Sequence, residues 1–274
     1  MAFYTKLEQA WKASGSLVCV GLDPDIQKLP SASPKSPEGI LAFNKAIIDA
    51  TAEYACAFKP QAAYYHAASA EAELEQTIAY IRERAPHAVV ILDAKRGDIG
   101  ATAEQYAKEA FIRYGADAVT VNPYMGGDTL EPFLAYADRG VIVLCRTSNP
   151  GSGELQNLEV AATGKKVFQI VAEKCAGPWN TRQNVAIVVG ATYPEELADI
   201  RQRVGTMPIL VPGVGAQGGD LAAVLKCGLT PAGTGLLINA SRSIIYASKG
   251  ADFANAARKA AAELHSEIAL LRSR

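Results

Sequence analysis

The chain has 274 residues, 49% hydrophobic and 20% charged, with 27 Lys plus Arg against 28 Asp plus Glu. That length is generous for one ordinary domain and short for two, and it leaves room for a large α/β barrel; the composition excludes a disordered or collagen-like chain. A net charge of −1 argues against a dedicated nucleic-acid binder, and no apolar run reaches the roughly 18 residues that a membrane helix needs.

In chain order, MAFYTKLEQAWKASG (1–15) predicts an amphipathic helix with acid and base on its polar face, not a signal peptide, so a cytoplasmic protein is expected. Short β-branched runs follow: SLVCVGL (16–22), YACAFKP (54–60), AVVILDA (88–94), AVTVN (118–122), VIVLC (141–145), VAIVVG (185–190), PILVPG (208–213) and LLIN (236–239). Between them lie Ala-rich amphipathic stretches, and ADFANAARKAAAELHSEIALLRSR closes the chain. Apolar strands alternating with helices indicate parallel β-α units buried on both faces. Eight such units predict a single-domain (β/α)₈ TIM barrel over residues 1–274. An open doubly wound sheet is the alternative, but the first turn reads GLDPD and lacks the G-x-G-x-x-G fingerprint.

Two connections are long for a compact domain, 23–39 and 147–164, and both follow a strand's C-terminal end, where barrels carry chemistry. The five cysteines form no C-x-x-C pair and read as small buried hydrophobes; the histidines (His66, His87 and His265) are scattered. Neither a disulfide framework, a zinc site nor a histidine triad is expected.

The second strand ends in Lys59, the third in Asp93-Ala-Lys95, and Asp98 lies in the turn beyond. Residues two apart on a strand share a direction, so Asp93 and Lys95 should point together, with Lys59 and Asp23 on neighbouring strand ends. A lone ion pair at a barrel rim would stabilise by only about 0–1 kcal/mol; charges converging from three successive strand ends favour a functional cluster. Across the mouth, PGVGAQGGD (212–220) is a Gly-rich turn opening a helix. NASRSI brings Arg242 to the next strand end, a pairing suited to a phosphate.

With Asp93-Ala-Lys95-Arg96-Gly97-Asp98-Ile99-Gly100-Ala101-Thr102, Lys59-Pro60-Gln61, PGVGAQGGD and SRSI, the chain resembles the orotidine 5′-phosphate decarboxylase family. The longer bacterial branch, with DAKRGDIG at the third strand, is the nearest pattern, and the resemblance spans GLDPD to the terminal helix. D-x-K-x-x-D alone is shared by several phosphate-binding barrels; its combination with Lys59 and the two later motifs is far more specific.

The resemblance implies conversion of orotidine 5′-phosphate to uridine 5′-phosphate and CO₂ in de novo pyrimidine biosynthesis, with neither metal nor cofactor. Lys95 would protonate C6 and Asp93 would sit beside the leaving carboxylate, while Lys59 and Asp23 hold ribose hydroxyls. Asp98 and Thr102 would reach the partner's site in a homodimer. Ser148 would recognise the pyrimidine edge, Gln217 would bridge base and phosphate, and Arg242 would bind the phosphate. Ser241 departs from the glycine that shorter members carry before that arginine, but its backbone N–H can still donate. A metal-dependent sugar-phosphate decarboxylase or synthase of the same barrel group is the alternative; it places a Glu ligand where Lys59 stands. A non-catalytic nucleotide-binding barrel and a Schiff-base aldolase are further readings. The chemistry itself asks for a cation: losing CO₂ leaves an sp² carbanion with no carbonyl to delocalise it, and no pyridoxal or thiamine motif is visible.

Overall fold

The structure is a computed structural model and describes residues 1–31, 33–214 and 219–273. Its strands, in chain order, are β1 (Val18–Leu22), β2 (Ala55–Pro60), β3 (Val89–Arg96), β4 (Ala118–Val121), β5 (Gly140–Arg146), β6 (Glu159–Val160), β7 (Lys165–Lys166), β8 (Val185–Val189), β9 (Ile209–Pro212) and β10 (Leu236–Ala240). β6 and β7 form a small antiparallel hairpin. The other eight close into a parallel barrel in the order β1-β2-β3-β4-β5-β8-β9-β10, with β10 pairing back to β1. The (β/α)₈ architecture expected from the alternation is present.

Parallel neighbours need a crossover, and helices supply it on the outer face. The main ones are Pro37–Thr51, Glu71–Arg84, Gly100–Lys108, Val167–Ala176, Pro194–Val204, Leu221–Gly228 and Phe253–Arg272. Local chemistry sets several starts. Ser36 accepts the Gly39 N–H ahead of Pro37 at the first helical position, and Asp220 accepts the Ala223 N–H (3.2 Å), satisfying otherwise orphaned donors. β1, β2, β4 and β8 are buried along their whole length, as strands covered on both faces must be.

The first helix, Phe3–Ser14, decides which end of the barrel is open. It lies against the strands' N-terminal ends. Tyr4 donates to the Val185 carbonyl (2.5 Å), and Lys6 pairs with Asp117 (2.5 Å) just before β4. Phe3 packs where a side chain on Gly140 would clash. With the bottom plugged, the C-terminal mouth is left for chemistry.

The long connections carry structure that the sequence pattern does not announce. The 147–164 segment holds a 3₁₀ turn (Pro150–Ser152), a helical turn (Gly153–Gln156) and the β6 strand of the hairpin. The 23–39 segment holds a 3₁₀ turn, Ile26–Lys28, capped by the Asp25 carboxylate on the Gln27 N–H (3.0 Å). Short helices at Ala62–Ala67 and Arg242–Ile245 are likewise too brief to show a 3.6-residue period.

Candidate active site

Asp93 is the hub of the mouth. It is buried, and four donors converge on its carboxylate. Oδ1 accepts Lys95 Nζ (2.7 Å) and Thr120 Oγ1 (2.8 Å); Oδ2 accepts Lys59 Nζ (2.7 Å) and Gln61 Nε2 (3.0 Å). A backbone bridge between Gln61 and Asp93 extends the β2–β3 pairing past Pro60 and sets the two side chains abreast.

Burial alone would raise the Asp93 pKa, yet the charges of Lys59 and Lys95 overcome it and hold the carboxyl far below the usual range. Burial would likewise strip the Lys59 proton, but Asp93 and Asp23 hold its pKa above the ordinary ammonium value. Both groups are therefore charged at neutral pH. Lys95 differs in access: its side chain is 47% exposed, so its ammonium is anchored on Asp93 and otherwise open.

Lys95 and Asp93 do meet, though not through regular strand alternation. Lys95 has φ 48°, left-handed backbone that a side-chain-bearing residue rarely adopts. The β3–β4 register shifts between Leu92 and Arg96. Thr120 Oγ1 accepts the N–H of both Ala94 (3.0 Å) and Lys95 (2.9 Å) while donating to Asp93, and so pins the strained residue. Next along, Arg96 forms a bidentate pair with Glu109 (2.7 and 3.0 Å to Nη2) and stacks over Tyr106, fixing the turn that carries Asp98.

The opposite wall comes from β1, β9 and β10. Lys59, Asp93 and Gln61 line a cavity of about 290 Å³ together with Asp23, Tyr64, Gly213, Asn239, Ser241 and Arg242. Gly21 makes the β1–β10 junction possible: a Cβ there would lie 2.6 Å from that of Ser241. Three buried oxygens in this wall have no hydrogen-bond partner among the described residues: Asp23 Oδ1, Asn239 Oδ1 and Ser241 Oγ. Buried polar groups are normally satisfied, so a wall of orphaned acceptors suits a ligand rich in hydroxyls. Tyr246 accepts the Asp25 N–H (2.6 Å) and donates to the Asp23 carbonyl (3.1 Å), bracing the segment that carries Asp23. Arg242 is exposed and, among the described residues, forms no ion pair. Gln217 lies outside the described residues.

Lys95, Asp98, Thr102 and Ser148 are not among the residues lining this cavity, Lys95 reaching it through its contact with Asp93. Asp98 is half-buried and accepts the Ile99 N–H (2.8 Å); Thr102 is exposed on the first turn of the following helix. Ser148 sits past β5 against Gly190, where a Cβ would come within 2.7 Å of its own.

Residues 16–260 match the family model described as Orotidine 5'-phosphate decarboxylase / HUMPS family. The chain belongs to that family. It is 56% identical over 275 residues to the orotidine 5'-phosphate decarboxylase of Cellvibrio japonicus (strain Ueda107), covering 100% of each chain. The enzyme of that name from Janthinobacterium sp. (strain Marseille) is 56% identical over 98% of each. Among solved structures, Leishmania donovani OMP decarboxylase aligns over 100% of both chains at 42% identity and a TM-score of 0.86. Leishmania donovani UMP synthase aligns at 44% identity and a TM-score of 0.87, over 99% of this chain and 57% of that one.

Sequence reasoning missed Thr120, Asn239 and the role of Gln61. The signal was present for the first two, since each is a polar residue inside an otherwise apolar strand. A roomier cavity of about 660 Å³ lies between the β4–β5 edge and the helix Val167–Ala176, lined mainly by Leu, Val, Ile and Trp179. Lys174 is its one charged lining residue among the described residues, beside the polar Asn122, Tyr124 and Gln156.

Proposed function

We propose that this chain decarboxylates orotidine 5′-phosphate to uridine 5′-phosphate and CO₂ in pyrimidine biosynthesis, as a carboxy-lyase acting in the cytoplasm with residues 1–274 as one domain. Full-length identity of 56% to a relative of that activity supports the reaction. The single observation that carries the mechanism is the Lys95 ammonium held 2.7 Å from a buried, charged Asp93 at the barrel mouth.

Heterolysis of the C6–carboxylate bond leaves its electron pair on C6 while CO₂ departs. Lys95 offers a preorganised cation where that charge develops, then gives C6 its proton. One such contact contributes roughly 3–4 kcal/mol by analogy with an oxyanion donor, against the about 8–23 kcal/mol that enzymes typically supply. The rest must come from binding energy at non-reacting groups: Arg242 and Gln217 on the phosphate, Asp23 and Lys59 on the ribose, Ser148 on the pyrimidine edge. The Ser241 backbone N–H adds to the phosphate site. Asp93, beside the substrate carboxylate, keeps Lys59 charged and holds the Lys95 ammonium in place.

Asp98 and Thr102 act across a homodimer interface in the partner's site. An apolar rim around them supports this. Ile99 is 62% and Tyr124 81% exposed, Met125 is exposed too, and Met125 packs beside Gly97.

The metal-dependent sugar-phosphate reading fits less well, because a buried ammonium 2.7 Å from Asp93 would repel a divalent cation. A spectrophotometric assay of orotidine 5′-phosphate with EDTA present tests the proposal: turnover persists, whereas loss on chelation restores the metal-dependent reading. Lys95→Ala should abolish turnover yet still bind uridine 5′-phosphate; kcat surviving within about tenfold, roughly 1.4 kcal/mol, would remove Lys95 from its role.

A further inference from the structure

We propose that Arg146 is a positioning residue that sets the 147–156 segment, and through it Ser148, over the base end of the site; this rests on the assignment of Ser148 to the pyrimidine edge. Arg146 ends β5 on the open face of the barrel and is 1% exposed. The β5–β8 register shifts between Leu144 and Arg146, an irregularity of the kind that re-aims a side chain near a site.

The guanidinium works as a template for the segment that follows it. Nη1 donates to the Thr147 carbonyl (3.1 Å), Ser152 Oγ (2.5 Å) and Gln156 Oε1 (3.2 Å). Gln156 then closes the loop onto its own start: Oε1 accepts the Thr147 N–H and Nε2 donates to Thr147 Oγ1, both at 2.9 Å. On its far side Arg146 is fixed by Glu196 at 2.5 Å from Nε and by Tyr193, whose ring centroid lies 4.4 Å from the guanidinium carbon. The carbonyl of Arg146 accepts the Gly190 N–H (2.8 Å), and Gly190 is where Ser148 seats with no room for a Cβ. A buried arginine that merely tied the helix Pro194–Val204 to the barrel would need only Glu196. Here three of its partners belong to the ten residues immediately after it, and Ser148 lies among them.

A segment set at one end of the ligand should affect that end alone. The test measures kcat, KM and inhibition by two probes, uridine 5′-phosphate and ribose 5-phosphate, for Gln156→Ala, Arg146→Met, Arg146→Lys and Ser148→Ala. Misplacement by about 1 Å can cost about 10²-fold in rate. Gln156→Ala and Arg146→Met should therefore lower kcat/KM by about 10–10²-fold and weaken uridine 5′-phosphate by about tenfold. Ribose 5-phosphate should stay within about twofold, and Arg146→Lys should recover little because one ammonium cannot span the three acceptors. Should Arg146→Met fail to fold, Gln156→Ala carries the test alone. Equal losses for both probes would mean a general structural role and overturn the proposal, as would an unaffected Gln156→Ala beside a weakened Ser148→Ala. If Ser148→Ala itself leaves uridine 5′-phosphate and kcat untouched, the assignment of Ser148 to the base falls, and the positioning role with it.

Discussion

A threonine in the middle of an apolar strand fixes the residue that matters most. Thr120 uses its hydroxyl three ways, accepting two backbone N–H groups and donating to Asp93, and thereby holds Lys95 in left-handed backbone. Such strain costs on the order of 1–3 kcal/mol and persists only when its surroundings over-determine it. Thr120→Val keeps the shape and removes the hydroxyl, so Lys95 should relax and kcat fall by about 10²-fold, while Thr120→Ser should retain most activity. Steady-state kinetics on folded protein decide it, and a Thr120→Val enzyme as fast as Thr120→Ser would show that the hydroxyl does not set Lys95. The charges around Asp93 also give a signed pH dependence. A carboxyl depressed in the folded state contributes stability above its unfolded pKa, about 3.9, and that stability is lost as pH falls through the folded value. Lys59, raised, contributes fully below about 10.4 and loses its contribution as pH rises through its folded value. Urea unfolding below about pH 4 should thus show the wild type losing stability more steeply than Asp93→Asn; parallel curves would mean that the carboxylate is not coupled to its lysines. Thr120 shows in the sequence only as a polar residue inside an apolar strand, and the bend at Lys95 not at all, because strand alternation describes regular backbone and the site is built on its failure.

The elements themselves were largely written in the residues. β-branched runs between Ala-rich amphipathic stretches sufficed for eight barrel strands, since burial on both faces leaves a continuous apolar signature. What escaped was short or tertiary. A four-residue helix such as Arg242–Ile245 has no period to read, and the β6–β7 hairpin is two residues to a strand, mostly charged, with pairing that depends on neighbours. Arg201 shows the same limit in the helix Pro194–Val204. It reads as one more basic residue near a helix C-terminus, yet it is buried and, among the described residues, meets no carboxylate. Its guanidinium donates to the carbonyls of Gly228, Gly205 and Met207, each at 2.7 Å, and of Gly235 at 3.0 Å. Burial pulls its pKa down to about 10. One side chain therefore ties two connections at the closed end of the barrel, those leading into β9 and β10. Arg201→Met would leave the buried Gly228 and Met207 carbonyls without this donor, each worth about 1–3 kcal/mol when exposure to water cannot compensate, whereas Gly205 is exposed and Gly235 keeps the Ile209 N–H; the expected loss is about 3 kcal/mol. Denaturant unfolding should show that drop while kcat of the folded fraction stays near wild type. A kcat loss without a stability loss would contradict a purely scaffolding role.

For the whole molecule the decisive matter is whether one chain suffices. Lys59, Asp93 and Lys95 are complete within a single barrel, whereas Asp98 and Thr102 stand at a rim whose exposed Ile99, Tyr124 and Met125 have the apolar character of a contact surface. A closed two-fold pairing would bring each rim to the other's mouth and give two equivalent composite sites. Complementation reads this directly. Lys95→Ala and Asp98→Ala should each be nearly inactive as homodimers. Mixed under conditions that exchange subunits, half of the dimers become hybrids. Within a hybrid, the site using Lys95 of the Asp98→Ala chain receives the intact Asp98 of the other chain, so one site is restored and its twin carries both defects. One good site in half of the dimers gives about one quarter of wild-type activity. If each site took Asp98 from its own chain, every site in the mixture would keep one lesion and no activity would return. Subunit exchange verified by mass, with activity still absent, would confine the chemistry to a single barrel and leave the apolar rim to assembly alone.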